Sequence, residues 1–143
     1  MTIQTHMLAP AAALVLWSAV VLLWMMVTRM GATQKAGIDL AKAKPGARGN
    51  SLDGVLPDKA QWKAHNYNHL MEQPTIFYPA VIVLALAGAS SLDVRLAWAY
   101  VGLRVAHSLW QGLVNTIPLR FALFLLSSLT LLALAVRAVL VTI

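Results

Sequence analysis

Apolar residues in this chain fall in runs too long and too continuous for the core of a small soluble domain. Residues 8–28, LAPAAALVLWSAVVLLWMMVT, contain no charged side chain, and at about 1.5 Å per residue they cover the roughly 30 Å of a bilayer's hydrocarbon core. They predict a first spanning helix. A cleaved secretory signal wants a basic stretch ahead of such a run, and residues 1–7 supply no Lys or Arg, so the reading is a retained span. Residues 29–59 then scatter Gly31, Gly37, Pro45, Gly46, Gly49, Gly54 and Pro57 among charges, which opposes a continuous helix and predicts a polar loop. Residues 60–89 read as one long helix with a polar first half, WKAHNYNHLMEQ, and an apolar second half, TIFYPAVIVLALAGA, bent by Pro74 and Pro79. A tight outer turn at 90–93 leads to a third span at 96–114, an inner turn at 115–118 and a fourth span at 119–141. The expected architecture is an all-α integral membrane protein, one domain over residues 1–143. Short connectors favour neighbouring antiparallel helices, so its four transmembrane helices should form a left-handed antiparallel bundle.

Composition strengthens this picture. Of the 143 residues, 59% are hydrophobic and 11% charged, against about a quarter charged in an ordinary soluble domain, and the mean hydropathy is +0.71. The net charge of +6 could mean nucleic acid, but its distribution points elsewhere. Arg29, Lys35, Lys42, Lys44, Arg48, Lys59 and Lys63 all lie between the first two apolar runs, and residues 1–28 carry no cation. Short basic loops stay in the cytoplasm, which sets the loop inside and both termini outside. Nucleic acid is not an expected partner; the lipid bilayer is. The chain has no cysteine, which excludes disulfides, thiolate metal sites and a protein thiol nucleophile.

Two groups of polar residues stand where lipid is expected. Arg104, His107 and Gln111 recur at i, i+3 and i+7 on the third span, with Tyr100 one turn earlier, so all four share one helical stripe. An arginine at such a depth costs about 2.5 to 3.5 kcal/mol even on mild insertion scales, so it should face protein, water or a ligand. Two readings stand side by side: a ligand site, or an interhelical brace with Arg104 against Glu72 or a backbone carbonyl. On the second helix His65, His69 and Glu72 also share a face, with Asn68 on the next ridge. A solvated amphipathic extension explains Lys63 and Asn66, but Glu72 stands two residues before Pro74, where the apolar run begins, and an anion there wants a cation such as Arg104 or Arg120. The same three residues have the spacing of divalent-metal ligands, although polar helices reach that spacing by chance. Arg120 and Arg137 are explained by positive-inside anchoring or snorkelling at the ends of the fourth span, Trp17 and Trp24 by packing or lipid contact, and Ser127, Ser128 and Thr130 by bonds back to the helix or across to a neighbour.

The runs HNYNHLMEQPTIFYPA and LRVAHSLWQGLVNTIPLRFALF together resemble the MAPEG proteins, the membrane-associated proteins in eicosanoid and glutathione metabolism, particularly their bacterial branch. The ordered set Glu72, Pro74, Arg104, His107, Ser108, Asn115, Pro118 and Arg120 carries the likeness, which extends over the chain in span count, basic first loop and extended second helix. The resemblance implies a homotrimer of four-helix subunits in a bacterial inner membrane, with glutathione as co-substrate held between neighbours near the cytoplasmic side. It implies that Glu72 and Arg104 contact glutathione and that Arg120 stabilises its thiolate, with His65, His69, His107 and Gln111 completing the site. Chemistry agrees: glutathione has two carboxylates and one ammonium, which suit Arg forks and an acid, and a guanidinium near a thiol favours S⁻. The chain departs from the family pattern at three places. His65 and His69 stand where glutathione-using members commonly have Arg and Asn, and Gln111 stands where many eukaryotic members have Tyr.

The expected function is thus a membrane glutathione-dependent transferase or peroxidase acting on lipophilic electrophiles. The alternative is a non-catalytic membrane scaffold or lipid-binding trimer in which Glu72, Arg104 and His107 form a buried brace.

Overall fold

A computed structural model describes residues 2–143, and among them every regular element is helical. Helix α1 runs Ile3–Lys35, α2 Asp58–Leu70, α3 Pro74–Ala87, α4 Ser91–Leu113 and α5 Ile117–Leu140. Two short 3-10 turns, Leu40–Lys42 and Gly49–Leu52, interrupt the segment between α1 and α2.

Helix α1 outruns its apolar stretch at both ends. The Thr2 hydroxyl caps its start by accepting from the Thr5 N–H. Its end passes through Arg29 and Gly31 to stop at Gly37, which adopts φ 66°. There the Ile38 N–H reaches the Thr33 carbonyl and the Gly37 N–H the Gln34 carbonyl, the paired bonds of a glycine-terminated helix. The glycines after residue 30 therefore begin the loop later than their mere presence suggests. Arg29 ties that loop down, donating to the Gly49 carbonyl at 2.7 Å and to Gln61 Oε1 at 3.2 Å.

The long second helix is broken into α2 and α3, with residues 71–73 forming the turn between them. Pro74 has no N–H for the Leu70 carbonyl and its ring crowds that carbonyl, so the helix restarts with proline in its first turn, where no donor is needed. Gly88, at φ 116°, ends α3. Ser90 and Asp93 then cap α4 reciprocally: the Asp93 carboxylate accepts from the Ser90 N–H at 2.7 Å, and the Ser90 hydroxyl accepts from the Asp93 N–H at 3.4 Å.

Three units are long and apolar enough to cross a membrane: Ile3–Lys35, the kinked Asp58–Ala87 and Ile117–Leu140. Helix α4 has 23 residues, which is sufficient length, but its charged and polar side chains keep it from qualifying by composition. It sits instead against α1, α2 and α5. The core is built on a stripe of α1, Met7, Leu14 and Val21, all fully buried, which meets Phe77, Val81 and Leu84 of α3, Tyr100 of α4 and Leu134 of α5. Phe77 and Tyr100 stack with ring centroids 4.4 Å apart, worth about 0.5–1.5 kcal/mol beyond the area they bury. The outer faces are also apolar: Leu16, Val27, Leu86 and Leu132 are exposed, as expected of surfaces that meet acyl chains.

Candidate functional site

The polar stripe of α4 is turned inward. Tyr100, Arg104, His107, Ser108 and Gln111 are all buried, Arg104 with only 1% of its surface exposed. The Arg104 Nη2 donates to the backbone carbonyl of His69 at 2.8 Å. The last carbonyls of a helix lack intrahelical donors, and the break before Pro74 puts His69 in the last turn of α2. The same proline that kinks the second helix thus gives the buried arginine an acceptor. Its Nε and Nη1 are buried without any partner among the described residues. Arg104 and Glu72 form no ion pair there. Glu72 lies in the turn beyond α2, is exposed, and accepts instead from His69 Nδ1 at 2.8 Å.

His69 is the hub of the arrangement. Its ring lies 4.9 Å from that of His107 and stacks at 5.3 Å on Phe124 of α5. His69 and His107 line a cleft of about 180 Å³ with Ile117, Arg120, Phe121 and Phe124. Arg120 reaches this cleft from the first turn of α5 and donates through Nη1 to Asn115 Oδ1 at 2.5 Å. Asn115 holds φ 60°, a left-handed conformation that asparagine tolerates better than most residues, so the turn after α4 also positions the guanidinium.

The seven residues singled out from the sequence are therefore distributed unevenly. His69, His107 and Arg120 share the cleft, while Arg104 and Glu72 are attached to it through the backbone and the ring of His69. Gln111 is buried on the same face of α4 with its Oε1 unpartnered, and it does not line the cleft. His65 lies 3.5 Å from Asp53 and lines a different depression, together with Arg29, Arg48 and Asn68. His65, His69 and Glu72 consequently do not converge, and among the described residues no group of three such side chains is placed to hold a metal ion.

Two polar links escaped the sequence reading. Gln73 donates to Ser128 Oγ at 2.7 Å and accepts from the Tyr100 hydroxyl at 3.3 Å, joining α4 and α5 at the kink. A glutamine flanked by Glu72 and an apolar run was the available signal, since a buried amide must find partners. Arg137 is no mere boundary residue: it pairs with the fully buried Asp93 carboxylate and donates to Ser90 Oγ at 3.2 Å.

A kinked helical bundle with lipid-like outer faces and an arginine sealed inside, short of acceptors, defines a membrane protein built around a polar seam. The profile of the MAPEG family matches residues 7–140, nearly the whole chain, and the protein belongs to that family. No curated protein and no solved structure gives a match.

Proposed function

We propose that this chain is a membrane-bound, glutathione-dependent transferase or peroxidase acting on lipophilic electrophiles that partition from the bilayer. The observation that carries the reading is Arg104: a buried guanidinium with one hydrogen bond and two unused donor positions, joined through the His69 carbonyl to the cleft that Arg120 lines. A carboxylate supplies the acceptors such a fork lacks. Glutathione fits the donor set, with Arg104 taking a carboxylate, Glu72 the ammonium, and Arg120 the thiolate. His69, His107, Gln111 and His65 would contribute further hydrogen bonds. Arg120 acts by charge alone: it favours S⁻, which attacks the electrophilic carbon as the leaving group departs with its electron pair.

The cleft of about 180 Å³ is smaller than the roughly 300–1,000 Å³ of ordinary ligand sites. One subunit would therefore supply part of the wall and a neighbouring copy the rest, in a homotrimer. In this reading α4 is a fourth span, tolerated because its polar stripe faces protein, and the seven-residue spacing of Met7, Leu14 and Val21 suits left-handed packing of antiparallel neighbours. The 143 residues would act as one domain in a bacterial inner membrane, with the basic loop in the cytoplasm and both termini outside.

The test is titration of purified protein with glutathione in detergent, following thiolate absorbance and conjugation to a generic aryl halide, in the wild type and in Arg120→Ala. An opposite charge lowers a thiol's pKa by about 1–3 units, so the variant should lose at least about tenfold in turnover near neutral pH. Absence of both binding and turnover in the wild type would refute the proposal. The Arg104 bond to the His69 carbonyl favours one second reading, a non-catalytic scaffold in which this contact braces α2 against α4. In that case Arg104→Ala lowers stability while glutathione leaves the wild-type Tm unchanged; a bound ligand raises it by mass action.

A further inference from the structure

A larger cavity lies away from the histidine cleft, between the last turns of α1 and the start of α2. Its volume is about 770 Å³, within the range of sites for small ligands. Its lining is apolar at Val27 and Gly31 of α1 and at Val55 and Leu56 just before α2, and it includes Lys35, Lys59 and Lys63. Gly31 meets nothing within 4 Å of where a Cβ would stand, so the groove is open along the helix.

The charges in this lining are unbalanced. None of the three lysines has an ion-pair partner among the described residues: Asp53 serves Arg29 and His65, and Asp39 pairs with Lys42. Asp58, next in sequence to Lys59, is not part of the lining. Lys63 is the telling member. It is only 8% exposed, and its ammonium lies 5.3 Å from the centroid of the Trp24 ring, an attractive but neutral neighbour. An anion drawn in from outside would offset the cost of burying that ammonium. Lys59 and Lys63 are one helical turn apart on α2, and Lys35 joins them in the lining from the last turn of α1.

We infer that this groove is a site for an anionic phospholipid of the surrounding bilayer, its headgroup drawn by the unbalanced positive charge of Lys35, Lys59 and Lys63 and one acyl chain laid against Val27 and Gly31 of α1. Basic pockets at the cytoplasmic ends of membrane helices recognise anionic headgroups in this way. The site shares no residue with the glutathione cleft and stands or falls separately from it.

The experiment uses the purified full chain in a neutral detergent, with native mass spectrometry and thermal melting in the presence of phosphatidylglycerol, of phosphatidylcholine with the same acyl chains, or of inorganic phosphate. Phosphatidylglycerol should bind at least about tenfold more tightly than phosphatidylcholine and raise the Tm, inorganic phosphate should do neither, and each lysine removed should cut the preference about fivefold. Lys35→Gln and Lys59→Gln alter exposed side chains, so the doubly substituted chain should keep its helical circular dichroism while losing most of the discrimination. Lys63→Gln is a separate arm because its site is buried. Equal binding of the two lipids, a preference surviving in the double variant, or an effect of phosphate alone equal to that of the lipid would each overturn the assignment. The chain has no cysteine, so Val27→Cys can carry a single photoreactive label. Lipid adducts support the site, and capture of a second copy of the chain refutes it.

Discussion

Replacing Gly112 with alanine should destabilise the protein through one aromatic ring. A Cβ at this position would stand 2.8 Å from Cη2 and 2.9 Å from Cζ3 of Trp24, whereas carbon atoms sit best about 3.5–4.0 Å apart. The overlap is therefore close to 1 Å, and α4 and α1 are helices that cannot separate locally without loosening their neighbours. Overpacking of this kind costs about 1–3 kcal/mol. A ring that swung aside would also disturb its contact with Lys63, whose Nζ lies 5.3 Å from the ring centroid. In the opposite direction, alanine is favoured over glycine inside a helix by up to about 1 kcal/mol, an advantage that should emerge once the clash is removed. Trp24→Phe removes the two offending atoms. Gly112→Ala should thus lower stability in the wild-type background and raise it, or leave it level, in the Trp24→Phe background. Reversible denaturation of the four proteins of this cycle in mixed micelles, followed by near-ultraviolet circular dichroism, measures the coupling. Equal effects of Gly112→Ala in both backgrounds would refute the reasoning, since the cost would then have nothing to do with the ring.

Other outcomes follow from the same contacts. Under the proposed glutathione reading, Arg104→Ala should weaken binding of that peptide by about 10- to 100-fold, the worth of a charge-assisted hydrogen bond, as read by calorimetry, and Arg104→Lys should restore little because a single ammonium cannot reproduce the fork. Arg137→Ala leaves the buried Asp93 carboxylate with Ser90 alone and should lower the Tm, whereas adding Asp93→Asn to it should recover part of the loss; a thermal shift assay on both variants checks the sign. Ser90→Ala removes the cap of α4 and should cost about 0.5–2 kcal/mol, measurable as a shift in the denaturation midpoint.

Much of the fold is legible in the sequence because lipid imposes a simple rule on it. Runs such as LAPAAALVLWSAVVLLWMMVT and TIFYPAVIVLALAGA announce themselves by the absence of charge, and the inward turn of Arg104, His107 and Gln111 follows from their spacing on one helical face. The ends of α1 are less visible, since a helix continues past the hydrophobic boundary wherever its residues tolerate helix, as the segment around Arg29 does. Contacts between distant residues leave no periodic trace. Asp93 and Arg137 are 44 positions apart, and each alone reads as an ordinary helix-end charge; only the fold brings them together. The same holds for Trp24 against Gly112 and for Gln73 against Ser128. At the candidate site the stripe of α4 could be foreseen, but the separation of His65 from His69 could not, because it depends on how the loop returns Asp53 to the side of α2.

The link between Asp93 and Arg137 has a mechanical consequence. Helices α4 and α5 are joined at one end by the three-residue turn 114–116 and fastened at the other by that ion pair, so they form a hairpin clipped at both extremities. Such a frame resists splaying, and a molecule reaching the cleft beside Phe124 must slip in from the flank. The opposite wall is tied into the same frame, since Gln73 in the turn 71–73 bonds to Ser128 of α5 and to the Tyr100 hydroxyl of α4.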